Sequence, residues 1–240
     1  MAAAATTSFL GLLGFGDNGW APQFIAGTLV TVEVSVCSYL VGIVLGLVGA
    51  GGKLSASRPV RLLSELYTTG VRSVPELLLI ILLFYTGTSL LNELIAATGH
   101  AGSIEISGFA TAVVTLGFVQ GAYMTEVFRG AIVAISPGLT EAARALALSP
   151  LHRFRFVTFP LMLRTALPGM GNLWQSVLKE SALVSVVGFG ELLTVGKNAA
   201  GETKYYLGFF LFTAAIYLSL TLISNLGFVC LERRLSRGFR

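Results

Sequence analysis

The sequence predicts an all-α integral membrane protein of about five transmembrane helices. Of its 240 residues, 54% are apolar and 12% charged, whereas roughly a quarter of an ordinary soluble domain is charged. Apolar stretches recur at the length of about 20 residues that a helix rising ~1.5 Å per residue needs to cross a hydrocarbon core of ~30 Å. Between those stretches, Lys and Arg fall in short clusters rather than along one polar face.

The leading segment, 1–23, carries no Lys or Arg and so lacks the positive n-region of a cleavable signal peptide. Insertion is expected to depend on the first span. Apolar runs place spans at 24–48, 74–97, 109–133, 167–187 and 207–231. Lys53, Arg58 and Arg61 follow the first run, Arg144, Arg153, Arg155 and Arg164 follow the third, and Arg233, Arg234, Arg237 and Arg240 follow the last. The positive-inside rule makes these three regions cytoplasmic. The segment 1–23, the loop around His100 and the loop with Lys197 and Lys204 then lie outside. An outside N-terminus and an inside C-terminus agree with an odd span count. The expected division is a periplasmic segment 1–23, a membrane domain 24–231 and a cytoplasmic basic tail 232–240.

Glycines four apart, Gly42 with Gly46 and Gly117 with Gly121, let helix backbones approach closely in lipid. Packing within one bundle is favoured over a dimer seam. Gly49-Ala50-Gly51-Gly52 has no Lys-Ser/Thr sequel, so it reads as a helix end and turn, not a phosphate loop. Cys37 and Cys230 sit in apolar runs and read as small buried hydrophobes. The net charge of +4 has no folded basic face to carry it, which argues against nucleic-acid binding.

The cytoplasmic stretch 136–150 carries the most information. Ser136-Pro137-Gly138 reads as a turn, Thr140 as an N-cap, the following Glu141-Ala142-Ala143-Arg144 run as a short helix, and Ser149-Pro150 as its stop. Such a helix either rests on lipid headgroups or inserts into the groove of a soluble partner. Its small Ala residues offer little apolar area to anchor in lipid, which favours the partner. The basic, aromatic run 151–160 then meets the membrane surface.

Glu141-Ala142-Ala143, followed by Pro160 and by Leu167-Pro168-Gly169, resembles the EAA loop of ABC-importer permeases. Further matches span nearly the whole chain: Gly49-Ala50-Gly51-Gly52-Lys53-Leu54-Ser55, the Tyr67-to-Glu76 segment with Arg72-Ser73-Val74-Pro75-Glu76, the Gly121-to-Ala131 segment with Glu126-Val127-Phe128-Arg129-Gly130, Gly171-Asn172, and Leu231-Glu232-Arg233-Arg234. Together they resemble the Q-type subunit of the polar amino acid importers, those for histidine, lysine, arginine and ornithine or for opines. The resemblance implies a type I ABC-importer permease fold in the bacterial inner membrane. It implies a second, homologous permease subunit, two ATP-binding subunits and a periplasmic amino-acid-binding protein. ATP and Mg would sit on the partner subunits, with no cofactor or metal on this chain and no enzymatic activity of its own. It makes the loop 136–160 the coupling helix, with Glu141, Ala142, Ala143, Arg144, Ala147 and Pro160 facing the ATPase.

Two positions depart from the family pattern. Ala147 stands where the family usually has Gly, and Phe159-Pro160 where it has Leu-Pro. Ala resists a left-handed turn by about 1 kcal/mol or more, so the helix is expected to run on slightly before turning.

Acids at bilayer depth cost about 2.5–3.5 kcal/mol each on insertion scales, so each needs a reason. Glu126 and Arg129, three apart, can pair on one helix face. Glu76 follows Pro75 at a helix start, where an acid meets the positive end of the dipole. Local sequence gives Glu33 no role. Glu180 lies in the fourth run beyond Pro160 and Pro168, which read as helix interruptions of the kind that line transporter cavities. Segment 172–181 resembles the family's intramembrane amino-acid site. In some arginine-transporting relatives two acids, at the positions of Leu173 and Glu180, hold the cationic side chain. The expected contacts are therefore Glu180 with Leu173, Trp174, Gln175 and Ser176, for a polar, cationic amino acid. The competing readings are an internally paired Glu180, and a channel or secondary transporter that relays ions through intramembrane carboxylates.

Overall fold

The computed structural model describes residues 9–16, 19–97 and 107–236, and every regular element among them is helical. The remaining positions, including His100, Arg237 and Arg240, lie outside the described residues. A short α1 (Phe9–Leu12) precedes the long α2 (Ala21–Lys53), whose Pro22 sits in the first turn, where its missing N–H costs no hydrogen bond. At 33 residues, α2 is about 50 Å long, more than a hydrocarbon core requires. It continues through Gly49-Ala50-Gly51-Gly52 to Lys53, so this glycine run is the last turn of a helix and not the turn after it. The reason is packing: a Cβ at Gly49 would stand 2.2 Å from Thr125 Oγ1, and one at Gly52 2.1 Å from Ser64 Oγ.

Next comes α3 (Arg58–Ser73), in a stretch read from sequence as a connection. Its Val71 and Thr68 are buried while Leu62, Leu63 and Leu66 are exposed, and Tyr67 donates to the Phe118 carbonyl over 2.6 Å. Pro75 and the extended Val74 end it, and α4 (Glu76–Ala97) leaves at 113° to it. The chain then forms α5 (Gly108–Val133), α6 (Pro137–Ala145) and α7 (Pro150–Arg153). A π-helical turn, Phe154–Thr158, leads into α8 (Phe159–Glu180), and a 3₁₀ segment, Ser181–Val187, follows it. The last elements are α9 (Leu192–Thr203), also missed by periodicity, and α10 (Tyr206–Ser236).

α5 is the central helix. Gly42 and Gly46 of α2 meet its Gln120 and Met124, and its Gly117 and Gly121 meet Val41 and Leu45 of α2. The two glycine pairs thus pack one helix against the other within the chain. A core of Met124, Phe128, Met162, Met170 and Val177 joins α5 to α8. Outside it, Ile25, Leu29, Leu40, Val44 and Val48 of α2 and Leu207, Leu211, Leu218, Leu222 and Leu226 of α10 are more than half exposed. So large an apolar surface is a liability in water and the expected face in lipid.

Among the described residues, Ala21–Lys53 and Tyr206–Arg234 are each apolar and long enough to cross a membrane, and the bent pair Arg58–Ser73 and Glu76–Gly87 qualifies as one broken span. α5 and α8 have the length but carry Gln120, Glu126 and Arg129, and Arg164, Asn172, Lys179 and Glu180, respectively.

Candidate coupling loop and intramembrane site

α6 begins four residues earlier than its expected start. Ser136 is the N-cap, by backbone and not by side chain, and Pro137 takes the first helical position. Thr140 is inside the helix, because Pro137 is already set at a helical φ. Ala143 is buried, while Glu141, Ala142 and Arg144 are exposed. The helix does not run on at Ala147. Ala147 N–H donates to the Arg144 carbonyl over 2.9 Å and Leu148 N–H to the Ala143 carbonyl over 3.2 Å, the paired bonds of a Schellman cap. Ala147 takes φ +53° to make them. Satisfying two end carbonyls outweighs the left-handed penalty, here without the usual glycine.

Ser149 caps α7, accepting from His152 N–H at 3.4 Å. Pro160 is exposed in the first turn of α8. It removes an amide donor from the ladder where the chain passes from π to α. α7, the π turn and α8 therefore form a continuous helical run after α6, and Leu139 of α6, Leu146 at its C-cap and Leu151 of α7 are exposed.

Pro168 does not interrupt α8, which passes through it. The break comes twelve residues later, where α8 gives way to the 3₁₀ segment directly after Glu180. Glu180 is 7% exposed, and its Oε2 accepts from Gln120 Nε2 of α5 at 2.6 Å. Glu76, at the start of α4, lies close enough to interact with both Glu180 and Tyr123. Among the described residues neither acid forms an ion pair with Lys or Arg; the ion pairs found there converge on Glu126.

The other expected contacts diverge. Leu173 and Ser176 share the Glu180 face of α8 by helical spacing. Trp174 turns to Tyr39, with ring centroids 5.3 Å apart and nearly perpendicular. Gln175 reaches Asn225 of α10 at 3.5 Å. Gln120 was not singled out from sequence, since a glutamine in an apolar run has no periodic signature.

Glu126 accepts from Arg129 Nε at 2.9 Å, and Lys53 from the end of α2 engages its other oxygen. The pair expected within α5 is thus a triad that ties α5 to α2. A second buried acid, Glu191, caps α9 by accepting from Thr194 N–H at 3.1 Å, and it also accepts from Tyr217 at 2.6 Å and Thr31 at 3.2 Å. Its position just before an apolar helix was the available signal.

Comparison with known proteins fits this arrangement. Residues 42–237 match the family described as the binding-protein-dependent transport system inner membrane component. The nopaline transport system permease protein of Agrobacterium fabrum is 42% identical, over 96% of this chain and 98% of its own. The histidine/lysine/arginine/ornithine transport system permease protein of Escherichia coli is 41% identical, over 92% of this chain and 97% of its own. In a crystal structure of an amino acid ABC transporter with histidines, one chain superposes with a TM-score of 0.78 at 30% identity, covering 95% of this chain and 99% of that one. A chain of the inward-facing methionine transporter shares the fold alone, with a TM-score of 0.72 at 20% identity over 89% of this chain and 96% of that one. The family is the membrane permease component of ABC importers, with ATP hydrolysed in separate subunits. By sequence and by fold, this chain belongs to the family of binding-protein-dependent transport system inner membrane components: it is an ABC-importer permease and not an enzyme.

Proposed function

We propose that this permease carries cationic amino acids or opines, and that Glu180 is the group that receives the cationic end of the substrate. The observation that carries this reading is a buried carboxylate whose hydrogen-bond partner is a neutral amide. A buried charge normally needs an opposite charge or a metal beside it, and a cationic substrate supplies one. Leu173 and Ser176 line the same face of α8, and Trp174 forms the wall toward α2. The substrates named for the nopaline and histidine/lysine/arginine/ornithine relatives support the same chemistry.

α2, the bent α3–α4 pair, α5, α8 with its 3₁₀ extension, and α10 are the five crossings of this reading. The N-terminus is periplasmic, the C-terminus is cytoplasmic, and the division into 1–23, 24–231 and 232–240 is retained. The polar residues of α5 and α8 are tolerated because those helices face the bundle. Working with a homologous second permease, two ATP-binding subunits that hold ATP and Mg, and a periplasmic binding protein, the chain alternates its access. The exposed Glu141, Ala142 and Arg144 dock α6 in a groove of the ATPase, Ala147 and Pro160 set its exit, and movement of that helix tilts α5 and α8 behind it.

Reconstitution of the complete importer in vesicles tests this. Loaded binding protein should raise ATP hydrolysis and drive arginine or histidine uptake, and Glu180→Gln should abolish the uptake. Uptake that proceeds without the ATPase would favour a channel or secondary transporter instead.

A further inference from the structure

The layer that holds Glu180 contains a second acid. Ile80 of α4, Leu116 of α5 and Val184 of the 3₁₀ segment meet in one dry cluster, each at most 1% exposed. Four residues along the sequence from them stand Glu76, Gln120 and Glu180; for Glu76 and Gln120 that is one turn of their own helix, and Glu180 is the last residue of α8 before the 3₁₀ segment. Those three form the adjoining polar layer, in which Gln120 donates to Glu180 and Glu76 interacts with Glu180. The nearby guanidinium of Arg72 lies over the ring of Tyr123, 5.5 Å from its centroid, and forms no ion pair with Glu76.

This layer has acceptors in excess. Gln120 is fully buried and spends its Nε2 on Glu180, while its Oε1 finds no donor among the described residues. Because that amide is anchored on Glu180, the unpartnered oxygen sits beside the Glu180 carboxyl. Two carboxyls that share one proton between them, with an amide oxygen beside them, still leave acceptors that suit a group that donates several hydrogen bonds, accepts none and carries positive charge. A guanidinium or an ammonium has that inventory.

We propose that Glu76 is the second carboxylate of the substrate site, so that Glu76 and Glu180 together hold the cationic end of the amino acid while Gln120 keeps Glu180 aimed at it. The proposal rests on the reading of Glu180 as a substrate contact. It places the second acid on α4, a different helix from the one that carries Leu173. Binding then draws α4 toward the end of α8, and specificity for a cation comes from two elements rather than one.

The test uses the complete reconstituted importer with arginine and its uncharged isostere citrulline as substrates. Glu76→Gln should lower arginine uptake efficiency about ten- to a hundredfold, the loss of one charge-assisted hydrogen bond, and so narrow the preference for arginine over citrulline by the same factor. Adding Leu173→Glu to that variant should restore arginine uptake, which a merely structural role for Glu76 would not allow. Unchanged arginine uptake in Glu76→Gln alongside loss in Glu180→Gln overturns the role of Glu76 and leaves Glu180 standing. Unchanged uptake in both removes both. Should Glu76→Gln fail to assemble, carbodiimide labelling of the native importer decides: arginine should protect both carboxyls and citrulline neither, and protection of Glu180 alone overturns the proposal.

Discussion

Gln120 donates its side-chain amide to Glu180 across 2.6 Å, joining the middle of α5 to the residue at which α8 breaks into a 3₁₀ turn. The bond fixes where the carboxylate points, and it connects the helix that leads to α6 with the helix that follows it.

Replacing the amide by an apolar group of similar size, Gln120→Leu, strips Glu180 of this donor while keeping it buried. The expected cost is about 1–3 kcal/mol of stability, the penalty for an unsatisfied buried polar group. Thermal unfolding of the purified complex in detergent measures it. The double variant Gln120→Leu with Glu180→Leu should recover most of the loss, because both partners are then apolar.

Ala147 pays a conformational penalty at the end of the coupling helix. Ala147→Gly should stabilise the loop by about 0.5–1 kcal/mol, because the left-handed penalty exceeds the added freedom of glycine in the unfolded chain. Ala147→Val should destabilise it and weaken co-purification with the ATP-binding subunits. Equal retention of those subunits by the wild type, Gly and Val variants would show that this turn does not set the docking geometry.

Close approach of α2 and α5 makes a position-specific prediction. A Cβ at Gly46 would lie 2.6 Å from the Met124 Cβ, whereas nothing stands within 4 Å of one at Gly51. Gly46→Ala should therefore force the helices apart and reduce the yield of assembled permease, at a cost of about 1–3 kcal/mol, the usual range for overpacking. Gly51→Ala on the same helix should express and assemble as the parent does.

Much of this was legible in one dimension. Apolar runs of membrane length announced α2, α4, α5 and α10, since lipid demands a long apolar sequence with every backbone group bonded internally. Glu141-Ala142-Ala143 announced the coupling loop, and the spacing of Glu126 and Arg129 their contact. α3 and α9 escaped because each is amphipathic or short and carries no long apolar run. The start of α6 was misread because Thr140 resembles an N-cap, while Pro137 had already opened the helix. Pro168 was weighed as a helix break, yet α8 continues through it, as helices in a bundle can when neighbours and local adjustments re-satisfy the freed carbonyl.

By itself, then, the sequence determined the class of protein, the long helices and the loop that carries the short helix α6, because each depends on residues close together in the chain. Only the tertiary structure decided what surrounds Glu180. Gln120 lies 60 residues away in sequence, Glu76 lies on another helix, and the Lys53 that completes the Glu126 triad is 73 residues from it. Periodicity reports which face of a helix is buried, but a polar partner on another helix is chosen by packing, and here by the glycines that let α2 and α5 close on each other.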